Sequence, residues 1–106
     1  MWIVSGNSLQ MAEGDFGIVL PVKINGTTLT EHDSIKFTFK DKPNGTPVLE
    51  KEYTNLTDNT ANLVLTEQES ALFPIGVYSY SLDWYQDGNF MCNIILQGVF
   101  RVVDKA

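Results

Sequence analysis

Apolar and polar residues alternate along most of this chain, and this period-two pattern predicts β-strands. In the clearest example, residues 77–85, the even positions carry Tyr78, Tyr80, Leu82 and Trp84. Asp87 and Gly88 follow, and this pair is typical of a tight hairpin turn because both central residues of such a turn take positive φ. The alternation resumes after the turn, so we predict one long antiparallel hairpin over residues 77–103.

The parity of the strand residues predicts the core, because successive side chains of a strand point to opposite faces. We expect the large apolar residues that share one parity on three strands to be buried between two sheets: Phe37, Phe39, Tyr80, Leu82, Trp84, Ile94, Leu96 and Phe100. Cys92 has the parity of Ile94 and Leu96, so we also expect a buried, unreactive thiol.

Shorter alternating stretches predict the remaining strands. We expect them over residues 2–4, 9–12, 16–24, 35–40, 47–53 and 62–65. Pro21 has no backbone N–H and therefore indicates an edge strand or a bulge. The charges of Glu50, Lys51 and Glu52 indicate a second edge strand, because charged residues protect an edge from random pairing.

Helical signals appear at one place. Thr66 and Glu69 have the spacing of a capping box, and Pro74 and Gly76 end the helix within two turns. The sequence thus predicts a single domain over residues 1–106, an all-β, antiparallel, immunoglobulin-like β-sandwich of about seven strands with one short helical crossover. A small closed barrel is the alternative.

Charge and reactive groups argue against several classes of function. The net charge of −6 and the pI near 4.5 argue against nucleic-acid binding. No apolar run approaches the roughly 20 residues of a membrane span, and the first residues do not resemble a signal peptide. Cys92 is the only cysteine and His32, in a polar stretch typical of a solvated loop, the only histidine. No catalytic motif accompanies them, so we expect no enzyme, no cofactor and no metal.

The order of several segments resembles a known family. Gly14-Asp15 leads into an apolar strand, residues 65–70 precede a Gly-x-Tyr-x-Tyr-x-Leu motif at 76–82, and a Gly-x-Phe-x-Val motif at 98–102 closes the chain. Over residues 7–103 the chain resembles the small β-sandwich domain at the N-terminus of phage baseplate upper proteins. It is also similar to related small phage and prophage structural proteins.

The resemblance implies a phage or prophage structural protein, a tail or baseplate component that acts through protein–protein contacts. Its partners would be other tail or baseplate proteins in an oligomer, with no membrane and no nucleic acid involved. The protein would be made in the bacterial cytoplasm and would end in the virion.

A small carbohydrate- or protein-binding (adhesion) module is the alternative. Five aromatic residues are candidates for a sugar-stacking platform: Trp2, Tyr78, Tyr80, Trp84 and Tyr85. Aromatic residues at strand spacing are more often core residues, and Tyr85, which has the opposite parity, is the better surface candidate. We expect the interaction surface to include the edge charges, the first residues and this tyrosine: Trp2, Glu50, Lys51, Glu52 and Tyr85.

Overall fold

The chain folds into two β-sheets and one helical turn, as described over residues 2–104 by a computed structural model. In chain order the elements are β1 (Ile3–Ser5), β2 (Ser8–Ala12), β3 (Leu20–Lys23), β4 (Asp33–Lys40), β5 (Pro47–Thr54), β6 (Thr60–Leu63), α1 (Glu67–Ser70), β7 (Gly76–Gln86) and β8 (Asn89–Val103). Six strands form a large sheet in the order β1-β2-β8-β7-β4-β5, and β3 pairs with β6. Residues of both sheets share one hydrophobic core, so the fold is all-β and sandwich-like.

The large sheet is mixed, so the prediction of a wholly antiparallel sandwich is wrong. Strand β2 runs parallel to β8, with Leu9 opposite Phe100 and Met11 opposite Val102. Parallel strands need a long connection, and here most of the chain separates the two. No turn motif joins them, so the direction of this pairing leaves no local signal in the sequence.

The local predictions are confirmed where turn and cap chemistry decides the structure. Strands β7 and β8 form the long hairpin, with Asp87 at φ 50° and Gly88 at φ 81° in its turn. Thr66 and Glu69 form the reciprocal capping box of α1. Strand β5 is an edge of the large sheet, as its charges predicted. The strand around Pro21 is shorter than predicted and lies in the two-stranded sheet.

Aromatic rings fill the centre of the core. Five of the eight predicted core residues are buried: Phe37, Phe39, Tyr80, Leu82 and Phe100. The Phe39 ring meets the rings of Phe73 and Phe100 edge to face, with centroids 5.7 and 5.3 Å away. Phe73 follows α1 outside any alternating stretch, and the sequence pattern did not identify it.

The prediction fails along the first half of β8, where Ile94, Leu96 and Cys92 are exposed. The β7–β8 register shifts at three points, so β8 carries extra residues at bulges. Tyr80 lies opposite Gly98 but Leu82 lies opposite Ile95. One extra residue moves the inward position from even to odd numbers, and Ile95 occupies the place predicted for its neighbours.

Trp84 and Cys92 lie beyond the best-covered part of the sheet. Cys92 is opposite Trp84, at a level of β8 that β2 does not reach. Trp84 was predicted to be buried, and it is only half-buried, with its indole N–H donating to Asp33. The expectation of a buried thiol is therefore wrong, because inward parity hides a side chain only where other elements cover that face.

A glycine marks the point where β8 changes register. A Cβ atom on Gly98 would lie 2.3 Å from Cε1 of Tyr80 and 2.8 Å from the carbonyl oxygen of Asn7. The Tyr80 hydroxyl donates a 2.8 Å hydrogen bond to that same carbonyl. Glycine is therefore required here because the Tyr80 ring lies directly over the β8 backbone on its way to the β1–β2 connection.

Asp33, the first residue of β4, is buried and ties three segments together. One carboxylate oxygen accepts the backbone N–H of Thr30 and the other accepts the indole N–H of Trp84, both at 2.8 Å. The hydrogen bond from the Thr30 N–H, helped by those from Trp84 and Gln86, holds the pKa of Asp33 below its ordinary value although burial opposes this.

Candidate interaction surfaces

Three of the five predicted interaction residues lie on the outer face of the large sheet: Glu50, Glu52 and Tyr85. Lys36 lies among them, opposite Glu52 on one side and Asp83 on the other. Its ammonium is 3.2 Å from the Glu50 carboxylate and 6.0 Å from the centroid of the Tyr85 ring. The hydrogen bond with Glu50 raises the pKa of Lys36. The charges on this face therefore largely satisfy one another.

Lys51 and Trp2 lie elsewhere and serve the fold. Lys51 is opposite the buried Phe37 and faces inward, where its ammonium donates to the carbonyl of Val64 and, at 2.8 Å, to the Glu69 carboxylate. The Trp2 indole N–H donates to the carbonyl of Ile18 at 2.9 Å, and its ring packs on Phe100. The five residues thus do not form one surface.

A polar groove of about 390 Å³ crosses the outer face. Ser79 and Ser81 line it together with mainly polar side chains from β4, β7, β8 and the β4–β5 turn: Lys40, Asn44, Asp83, Asn93 and Gln97. The aromatic residues proposed for sugar stacking do not assemble into an exposed platform. Tyr80 is buried, the Tyr78 hydroxyl donates to the carbonyl of Pro74, and Trp84 is held by Asp33.

Among the described strands, none neighbours the first nine residues of β8 on one of their two sides. Strand β2 pairs with β8 only from Val99 to Val103. Within residues 2–104, no strand therefore pairs with residues 89–97 on the side away from β7. This segment, which we call the free edge, reads Asn-Phe-Met-Cys-Asn-Ile-Ile-Leu-Gln and contains neither a charge nor a proline. None of its residues is among the five predicted interaction residues.

The free edge also exposes large apolar side chains. The exposed fractions are 55% for Phe90, 45% for Met91, 37% for Ile94 and 75% for Leu96. Proteins protect edges with charges, prolines, short strands or bulges. The bulges of β8 leave these apolar side chains in solvent, so they add exposed apolar surface to the edge. A long, uncharged, apolar edge is an open site for strand pairing.

An apolar cleft of about 370 Å³ adjoins the free edge on the inner side of the sheet. Besides Ile95 of the edge itself, residues of five strands line it, mainly Val4, Leu9, Leu20, Val22, Phe37 and Tyr80. The cleft exists because a two-stranded sheet cannot cover the whole face of a six-stranded one. The free edge and this apolar cleft therefore lie next to each other.

His32, Asp33 and Cys92 have separate partners and surroundings. His32 is exposed and its Nδ1 is 3.0 Å from an Asp87 carboxylate oxygen, whereas Asp33 is engaged by Thr30 and Trp84. Cys92 lies on the free edge. In the part of the chain that the structure describes, no three His, Cys, Asp or Glu side chains group as metal ligands. None of the helical structure in residues 2–104 has the length and apolar character of a membrane-spanning helix.

Over residues 2–104 the molecule is thus an all-β, sandwich-like protein with a long, uncharged and unpaired strand edge at residues 89–97. In comparisons with known proteins, no family model, curated protein or solved structure matches the chain. The resemblance to phage baseplate domains and the immunoglobulin-like arrangement of the strands therefore stay predictions. The class of function must be argued from the surfaces themselves.

Proposed function

We propose that this protein is a non-enzymatic structural subunit that assembles by pairing a partner's strand with the free edge of β8. The observation that carries the proposal is a nine-residue exposed strand edge with no charge and no proline. Strand addition would supply main-chain hydrogen bonds for affinity, and the neighbouring side chains and cleft would supply specificity.

The contrast between the edges of the large sheet supports a defined contact. Strand β5, at one end of the sheet, exposes the carboxylates of Glu50 and Glu52. Strand β1, at the other end, has only three residues. Charge, shortness and bulges are the usual protections of an edge, and the free edge has bulges but neither charge nor shortness. One edge open to pairing and two protected ones favour a finite assembly over a filament.

A tail or baseplate component of a phage or prophage is the biological role that we propose for such a subunit. One support is the resemblance of residues 7–103 to baseplate sandwich domains. We propose in the same way that the strands have an immunoglobulin-like arrangement. A fold that exposes a strand edge rather than a cluster of reactive side chains is the other support. In this proposal the partners are other tail or baseplate proteins, and the protein resides in the virion.

A carbohydrate-binding module is the second candidate, and the polar groove on the outer face is the observation in its favour. Its hydroxyl, amide and charged side chains suit a polyhydroxylated ligand. No exposed aromatic ring lines the groove, although such rings commonly supply the apolar half of a small-molecule site. The groove therefore ranks below the free edge.

Sedimentation velocity of the protein alone and mixed with tail proteins of the same genome tests the proposal. We expect a species heavier than the 11.9 kDa chain in at least one of these samples. A variant with Met91→Lys and Ile94→Lys should sediment as a monomer in all of them, since two charges then block the edge.

Val77→Lys is the matched control, because Val77 is also apolar and is 60% exposed but lies outside the free edge. This variant should assemble like the wild type. A wild-type chain that is monomeric in every mixture would overturn the proposal, and so would assembly that the two edge lysines leave unchanged. A monomer that binds a glycan would favour the second candidate.

A further inference from the structure

We propose that the strand received by the free edge is the same strand of a second copy, paired antiparallel about a twofold axis at Asn93. This inference rests on the proposed function and names its partner. The free edge has polar residues at positions 89, 93 and 97 and three apolar residues in each interval. The polarity pattern therefore reads the same in both directions, which is what a twofold interface requires of a single strand.

When the outer side of β8 is paired as a continuous ladder across its bulges, antiparallel pairing centred on Asn93 matches every residue with one of its own kind. The opposed pairs are Asn93 with Asn93, Cys92 with Ile94, Met91 with Ile95, Phe90 with Leu96, and Asn89 with Gln97. Apolar pairs across strands stabilise a sheet. At the axis, each Asn93 amide nitrogen donates to Asp83 of its own chain and leaves its second N–H and its amide oxygen for the other Asn93. A shift of one or two residues places polar side chains opposite apolar ones.

The shape of the sheet selects the same register. Strand β2 occupies the side of β8 from Val99 onward, and the hairpin turn at Asp87 and Gly88 ends the strand at its other end. A second copy therefore has room only opposite the segment between these two limits. With Asn93 on the axis, the turn of each copy arrives where β2 of the other begins, so the two free edges fill the space completely.

Electrostatics permits this contact although each chain carries a net charge of −6. The free edge itself is uncharged, and the nearest acidic residue across from its centre, Asp83, lies on β7. Two Asp83 side chains would be separated by three strand spacings, roughly 14 Å. That separation exceeds the Debye length of about 8 Å at physiological salt, so their repulsion is screened.

Cysteine cross-linking in a Cys92→Ser background tests the register. Directly opposed residues of antiparallel strands have Cα atoms about 4.5–5.5 Å apart, within the range that a disulfide spans. Asn93→Cys should therefore form a covalent, reducible dimer on mild oxidation. Phe90→Cys and Leu96→Cys should each stay uncross-linked alone and should form a heterodimer when mixed, because each residue faces the other.

Glu52→Cys, exposed on the charged edge, is the control for random collision and should not cross-link faster than Phe90→Cys alone. Cross-linking of Phe90→Cys with itself, or none with Asn93→Cys, would overturn this register. If cross-links are absent while edge lysines still abolish assembly, only the second-copy partner is wrong and strand addition stands. If edge lysines also have no effect, both proposals fail.

Discussion

Replacing Phe100 by alanine should lower the free energy of unfolding by about 3–5 kcal/mol, because the substitution leaves a cavity in a well-packed core. Phe100 is fully buried, and its ring contacts those of Phe39 and Phe73 with centroids 5.3 and 5.1 Å away. The same substitution at Phe90 should lower the free energy by about 1 kcal/mol or less, because this side chain is 55% exposed and its ring contacts that of Tyr85 with centroids 5.7 Å apart.

Urea unfolding at a protein concentration where the chain is monomeric measures both effects. The two variants make the same chemical change on the same strand, so each is the control of the other. Their difference follows from the burial of one end of β8 and the exposure of the other. If both substitutions lowered the free energy of unfolding equally, the register that the bulges impose on this strand would be contradicted.

Replacing Asp33 by asparagine should lower the free energy of unfolding by about 1–3 kcal/mol at pH 7, because a buried ionised acceptor is lost. The pKa of Asp33 lies below its ordinary value of 3.8 in the folded chain, chiefly through the Thr30 N–H. Its stabilising contribution is therefore complete above the unfolded-state pKa and is lost as the pH falls through the folded-state pKa. The wild type should lose its advantage over the variant in acid.

Urea unfolding of both proteins at pH 7 and pH 3 measures this difference. Asp58→Asn is the control, since the Asp58 side chain is 84% exposed and its ion pair with Lys23 spans 3.9 Å. This substitution should change the free energy of unfolding little at either pH. A gap between wild type and Asp33→Asn that is equal at both pH values, or larger at pH 3, would contradict the assigned role.

The sequence predicts those parts of the fold that local chemistry decides. Asp87-Gly88 accepts the positive φ of a hairpin turn, Thr66 caps a helix whatever surrounds it, and alternation around Phe37 needs only one buried face. The parallel placement of β2 beside β8 is different, because it depends on residues far apart in the chain. The bulges of β8 could not be predicted either, because no residue type in this strand indicates where an extra residue is inserted.

For the candidate surfaces, too, the sequence predicts what depends on local residues and misses what depends on distant ones. Edge charges and the parity of Tyr85 selected three residues that do share the outer face, Glu50, Glu52 and Tyr85. They could not show that Lys51 turns inward to the Glu69 carboxylate. Absence of charge over nine residues is visible in the sequence of β8. Whether such a strand is central or at an edge depends on which strand flanks it. Only the end of β2 pairing at Val99 shows that the free edge is open.

Amide hydrogen exchange, compared at low and high protein concentration and with added tail proteins, tests strand addition at the free edge most directly. Backbone amides that gain a hydrogen-bonded partner strand become protected from exchange. We predict that protection rises in residues 89–97 with assembly, while the amides of the charged edge strand Pro47–Thr54 keep their exchange rates. Assembly that leaves residues 89–97 unprotected, or that protects β5 instead, would contradict the account.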